Sequence, residues 1–359
     1  MINRKQPQDA AAFPIKGEGV ARLRTAIWSV LHFLVDMVCA WAMYAYFGAG
    51  HYENLLIYNF CAFALQLPFG TFLDLYCEKH PRLPVIIAAI GVTVTLCGTF
   101  THPALLGIGN AFFHTGAGVD VIKDDFIKKR KGINLGIFVA PGAIGLYLGA
   151  MIGKKTASPV ICAVAGLIMA VLLLIRRSLT DAQTEEVFIP LIKSSKMAFM
   201  TLCCFAVVIV RSLVGMSVTF SWKSVPPLGA LAVCATAAGK FCGGFLAARF
   251  GLRRTAVVSL LLASLCYLLG NIWTMGLTAI FLFNMTMPLT LYLLTEKLPG
   301  MPGFAFGILT FGLFLGFLPV YWRMDFFLLP ELLGAAGSIV SCVMLIAAGK
   351  AVEYDKISS

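Results

Sequence analysis

The sequence predicts an all-α polytopic membrane protein with twelve transmembrane helices in two pseudo-symmetric six-helix bundles. Three observations carry that reading. Of the 359 residues, 59% are hydrophobic and only 13% charged, where an ordinary soluble domain has about a quarter charged, and the mean hydropathy is +0.88. At roughly 20 residues per crossing, the apolar runs divide into twelve. A turn sequence near residue 70 returns in altered form near residue 244, which makes the second half a repeat of the first.

The expected spans are 25–48, 54–73, 83–100, 103–122, 133–152, 158–175, 197–219, 227–248, 255–271, 274–294, 303–320 and 327–349. They group into an N-terminal bundle over 25–175 and a C-terminal bundle over 197–349. Tails over 1–24 and 350–359 and a polar linker over 176–196, RRSLTDAQTEEVFIPLIKSSK, complete the chain. Basic residues collect on one side of this arrangement: Arg22, Arg24, Lys79, Arg82, Lys128 to Lys131, Arg176, Arg177, Arg253, Arg254, Lys350 and Lys356. The other side carries Lys154, Lys155, Lys223 and Arg323. This bias places both termini and the linker in the cytoplasm of a multi-pass protein of the cytoplasmic membrane. It also accounts for the net charge of +11 without nucleic acid, because the charges are dispersed among loops instead of gathered on one folded face. The first apolar run is too long for a signal-peptide core and contains His32 and Asp36. The eleven cysteines lie scattered through apolar spans with no C-x-x-C pair, so they read as small packing residues rather than a disulfide or zinc framework.

Within this apolar background a few polar residues stand out. In the first span His32 and Asp36 are four residues apart and share a helix face; they form either a proton- or substrate-binding pair or a buried contact pinning two helices. In the fourth, GIGNAFFHTGAGVD places Asn110, His114, Ala117 and Gly118 on one polar, small-residue face. An ionisable side chain at membrane depth is costly, so that face should meet a bundle interior or a water-filled path. Asp120 points elsewhere and is expected to pair with Lys123 one turn on. The second span carries Asn59 and Gln66, the seventh a lone deep guanidinium, Arg211, and the tenth Asn284. Lys240 lies close enough to the inner surface to snorkel there, or else faces the interior. The glycines of the fifth span, NLGIFVAPGAIGLYLGAMIG, and of the eleventh, GFAFGILTFGLFLG, allow close backbone approach, with Pro141 as a kink. Two patterns are decoys: GAMIGKK at 149–155 is too short for a phosphate loop, and Asn284-Met-Thr286 is a glycosylation triplet inside a span.

The repeat lies in Gly70-Thr-Phe-Leu-Asp74, which runs to Arg82, and in Gly244-Phe-Leu-Ala-Ala248-Arg249-Phe-Gly251-Leu-Arg253-Arg254. Both resemble the G-x-L-a-D-r-x-G-r-R turn of the major facilitator superfamily. The first copy keeps the acid; the second keeps the basic tail but has Ala248 in the acid's place. From 70 to 244 the offset is 174, near half the chain; it also carries Asn110 onto Asn284 and Asp36 next to Arg211. In a bundle of six plus six, the first, fourth, seventh and tenth helices surround the central cavity, so His32, Asp36, Asn110, His114, Arg211 and Asn284 are expected to converge there, with Gln66 as a further substrate contact.

Within the superfamily, HFLVD (His32 to Asp36), GIGNAFFH (Gly107 to His114), APGAIGLYLG, Arg211-Ser212 and MPLTLYLLTEKLPGMPGFAFGILTFGLFLG are similar to the fosmidomycin-resistance efflux branch. That resemblance implies alternating access and proton-coupled export of small molecules. A monomer is expected because one chain already supplies both halves, and no cofactor or metal is expected. Asp36, with His32, would exchange protons, sodium being the other coupling ion to test. Gly70, Asp74, Arg82, Gly244, Arg249, Gly251 and Arg253 would form the conformational loop motif. The expected cargo is a small anionic or amphipathic solute. The alternative is a proton-coupled importer of an organic anion. A membrane-embedded enzyme is disfavoured because no nucleophile motif, metal cluster or nucleotide loop is present. A transporter-derived receptor would be expected to carry a long tail or an extra domain.

Overall fold

The structure, a computed structural model, describes residues 16–48, 50–127, 130–179, 195–298, 300–322, 324 and 329–353. Among them are twelve helical spans and no strand. In chain order these are α1 Lys16–Ala45, α2 Tyr52–Tyr76, α3 Leu83–Gly98, α4 Pro103–Ile127, α5 Ile133–Gly153 and α6 Pro159–Ser178. The second six are α7 Ser195–Ser217, α8 Pro226–Phe250, α9 Leu252–Leu268, α10 Trp273–Lys297, α11 Pro302–Tyr321 and α12 Pro330–Glu353. Ten of them are long and apolar enough to cross a membrane. The short ones, α3 with 16 residues and α9 with 17, occupy the same place in each half.

Several helix ends differ from expectation. α1 starts at Lys16 and α12 reaches Glu353, so helix extends into both stretches read as tails. Of the linker stretch, Arg176 to Ser178 belong to α6 and Ser195 and Lys196 to α7; residues 180–194, like Lys128, Lys129, Arg323 and Lys356, lie outside the described residues. Arg24 and Arg176, counted among the loop charges, are only 5% and 1% exposed. Arg24 Nη2 donates to Asp124 Oδ1 at 2.6 Å, and Arg176 Nη2 donates to Asp120 Oδ2 at 2.6 Å. The expected Asp120–Lys123 pair is therefore corrected: Asp120 joins α4 to α6, and it also accepts the Trp28 indole N–H of α1 at 2.6 Å. Helical spacing offered the neighbour on the same helix, but Lys123 is only half-buried and lies within electrostatic reach of Asp74, while a buried guanidinium needs a counter-charge.

Two spans are interrupted. In α2 a π turn at Phe60–Ala64 precedes Pro68, and in α10 the helix breaks at Met285 ahead of Pro288. Proline lacks the N–H that would reach the carbonyl four residues back and its ring crowds that carbonyl, here Ala64 and Asn284. Pro141, by contrast, sits inside an uninterrupted α5.

Glycines set how closely the helices approach. Along one face of α5, Cβ atoms at Gly145, Gly149 and Gly153 would fall onto the backbone carbonyls of Phe33, Met37 and Trp41 in α1. This ladder presses the two helices backbone to backbone, the usual device for helices in lipid, where there is no hydrophobic drive between them. The same device joins the halves. Gly70 of α2 meets Gly303 of α11, Gly307 meets Gln66 and Leu67, Gly136 of α5 meets Lys240 and Phe241 of α8, and Gly244 meets Gly132. The Asp74 carboxylate accepts the Gly303 and Phe304 N–H groups, both at 2.7 Å, and so caps the N-terminus of α11 from the opposite half. At the far end of the same pair Tyr52 meets Tyr321, with ring centroids 5.4 Å apart.

Candidate functional site

The middle of α1, against α4 and α5, carries a buried polar cluster. His32 and Asp36, 6% and 7% exposed, lie one turn apart, with His32 Nε2 3.2 Å from Asp36 Oδ2. From α4, His114 Nε2 approaches Asp36 Oδ1 to 3.5 Å, and Asn110 Nδ2 donates to the same oxygen at 3.2 Å. The imidazoles meet edge to face, with centroids 4.5 Å apart. Space for the cluster comes from α5: a Cβ at Gly142 would overlap both His32 Nε2 and Asp36 Oδ2.

The other ring nitrogens define the protonation. His32 Nδ1 lies 2.7 Å from the Phe138 carbonyl and His114 Nδ1 lies 2.9 Å from the Asn110 carbonyl. A carbonyl only accepts, so each Nδ1 carries a proton, an assignment that follows from the hydrogen-bond pattern. In the neutral tautomer both Nε2 atoms then present lone pairs to Asp36. Two positions between imidazole and carboxylate are thus open to a proton.

The cluster reaches further than the sequence indicated. Cys39, one turn beyond Asp36, has its sulfur 3.5 Å from Asn110 Nδ2. The spacing His32, Asp36, Cys39 on one helix face was available as a signal, but a cysteine in an apolar run is indistinguishable from a packing residue. The contributions of the Phe138 carbonyl and of Gly142 have no side-chain signature at all.

On the C-terminal half, Arg211 of α7 is 9% exposed. Its Nε has no hydrogen-bond partner, and among the described residues it makes no ion pair. Lys240 of α8, half-buried, lies within electrostatic reach of Arg211, Asp36 and His114. No Asp36–Arg211 bridge is formed; His32, His114 and Asn110 occupy the carboxylate instead.

Two expected members are not brought into the cluster. Asn284 turns its amide back to the Ile280 carbonyl at 2.9 Å, beside the break in α10. Gln66, 1% exposed, donates to the Ala62 carbonyl at 2.5 Å beside the π turn of α2. In both cases a carbonyl in an interrupted turn captures the amide. Of the loop-motif residues, Gly70, Asp74 and Gly244 sit at the contacts between halves described above. Gly251 ends α8 at φ +89°, a left-handed conformation that favours glycine. Arg82, Arg249 and Arg253 lie on the surface, Arg249 with its guanidinium 5.5 Å over the Phe250 ring.

The fold is the major facilitator plan of two six-helix halves. Two solved structures share that fold. One is FucP, described as a major facilitator superfamily transporter in the outward conformation, with a TM-score of 0.63 at 14% identity over 94% of this chain and 99% of that one. The other is a variant of the E. coli fucose:proton symporter FucP, with a TM-score of 0.62 at 13% identity over 94% of this chain and 98% of that one. No family model and no curated protein matches the sequence.

Proposed function

We propose that the protein is a monomeric secondary transporter of the major facilitator superfamily, in the cytoplasmic membrane with both termini inside, that moves a small anionic or amphipathic solute by alternating access coupled to protons. The observation that carries the reading is the unequal saturation of buried charge across the two halves. Asp36 is fully partnered from α1 and α4, whereas Arg211 on α7, with Lys240 near it, has no counter-charge. A buried guanidinium without an anion is costly, and an anionic solute entering between the halves would supply one. Asp36 and His32 would take up or release the coupling proton as solute arrives, and Asn110 and His114 would tune that exchange through their contacts with the carboxylate. Efflux by antiport is the direction implied by the resemblance to the fosmidomycin-resistance branch. Import with protons is the second reading, favoured by the fucose:proton symporter among the structures that share the fold.

The test is proton release from purified protein in weak buffer while organic anions are added. Wild type should release protons on binding one class of anion, and Asp36→Asn should bind without release. Arg211→Gln should fold but lose binding. Anion binding with no proton change in wild type, or unaltered binding by Arg211→Gln, would overturn the reading; counterflow in vesicles with an imposed pH gradient then gives the direction.

A further inference from the structure

We propose that the His32–Asp36–His114 cluster binds a divalent transition-metal ion of the zinc class, and that the anionic solute completes its coordination. The inference rests on the transporter reading above and names the form of the cargo, a metal ion together with its anionic ligand. Three donors of the type such ions prefer, two imidazoles and a carboxylate, lie within 4.8 Å of one another. Ligand atoms about 2.0–2.1 Å from a tetrahedral ion are roughly 3.3 Å from each other; His32 Nε2 lies 3.2 Å from Asp36 Oδ2 and His114 Nε2 3.5 Å from Asp36 Oδ1, so the two rings meet the two oxygens of one carboxylate, which would hold the ion with both.

The independent observation is the anchoring of both rings. Each imidazole donates its Nδ1 proton to a backbone carbonyl, of Phe138 and of Asn110, which leaves both Nε2 lone pairs aimed at one carboxylate. That is the outer-shell arrangement that fixes the tautomer and orientation of a metal-binding histidine. Lys240 and Arg211, both on helices of the C-terminal half, lie within electrostatic reach of each other, and Lys240 within reach of Asp36. They oppose a bare cation, and they favour a metal ion that arrives with an anion in its open position. One set of residues thereby accounts for both the converging lone pairs and the uncompensated guanidinium of Arg211.

The experiment uses purified full-length protein stripped of metal and titrated with Co²⁺ alone and then with Co²⁺ and citrate, following the visible bands of four-coordinate cobalt. The expected result is one equivalent bound, tightened by citrate in wild type but not in Arg211→Gln, and weakened at least tenfold by His114→Gln or His32→Gln. X-ray absorption of the zinc-loaded wild type should show imidazole nitrogen and oxygen donors without sulfur, a readout that needs no variant to fold. No saturable Co²⁺ binding, binding indifferent to both histidine variants, or sulfur in the shell would overturn the proposal. Proton release by anions, measured with a chelator present, stands or falls separately, so failure of the metal site is distinguishable from failure of the transporter reading.

Discussion

Replacing Gly142 by alanine tests the geometry of the site with a single methyl group. The added Cβ would lie 2.5 Å from Asp36 Oδ2, where ordinary contact begins at 3.4 Å, an overlap of about 0.9 Å, and it would also overlap His32 Nε2. The backbone cannot retreat, because Gly145 and Gly149 already hold α5 against the Phe33 and Met37 carbonyls of α1. Relief must come from the side chains of His32 and Asp36, at the roughly 1–3 kcal/mol typical of overpacking a close-fitting interior. If that cost falls on the bound geometry, affinity for the solute and for the coupling proton weakens about 5- to 150-fold. The assay is solute-driven proton release alongside calorimetric binding, with thermal unfolding as a control. The matched variant is Gly215→Ala, where no atom lies within 4 Å of the new Cβ and wild-type behaviour is expected. Binding and release by Gly142→Ala within twofold of wild type would refute the placement of the cluster against α5, as would equal impairment by Gly215→Ala.

Two further variants probe the framework around the site. Asp74→Asn removes the charge from the cap on α11 while keeping an acceptor, so the contact between α2 and α11 should weaken by about 1–2 kcal/mol, a shift of roughly 5- to 30-fold toward separation of those ends. Spin-label distances between the Asp74 end of α2 and the start of α11 should lengthen, and an unchanged distance distribution would refute the cap's role. Arg176→Met strips the counter-charge from Asp120 and should destabilise the folded protein by about 3–5 kcal/mol; the double variant with Asp120→Asn should recover most of the loss in thermal unfolding, and equal stability of the single and double variants would refute the pairing.

Much of the cluster was legible in the sequence because an α-helix converts spacing into direction. His32 and Asp36, four apart, and Asn110 and His114, four apart, had to share faces, and the cost of burying them in lipid had to turn those faces inward. Asp120 shows where that reasoning ends. Its spacing to Lys123 permitted a local pair, but the structure sets it between Trp28 and Arg176, which are 92 and 56 residues away in sequence. The same limit applied to Asn284: the repeat offset matched it to Asn110, yet the break before Pro288 turned its amide back on its own helix.

The sequence by itself determined that the chain is an all-helical, multi-pass membrane protein, because hydropathy and the length needed to cross a bilayer depend on composition alone. It also determined which polar residues had to be sheltered, since desolvation acts on the residue type wherever it is buried. Only the tertiary structure decided what they meet. Rotation of each helix about its axis and the depth to which neighbours interlock follow from contacts between distant segments. The ladder of glycines that seats α5 on α1 is what places Gly142 beside His32 and Asp36, and the Phe138 carbonyl against the ring of His32.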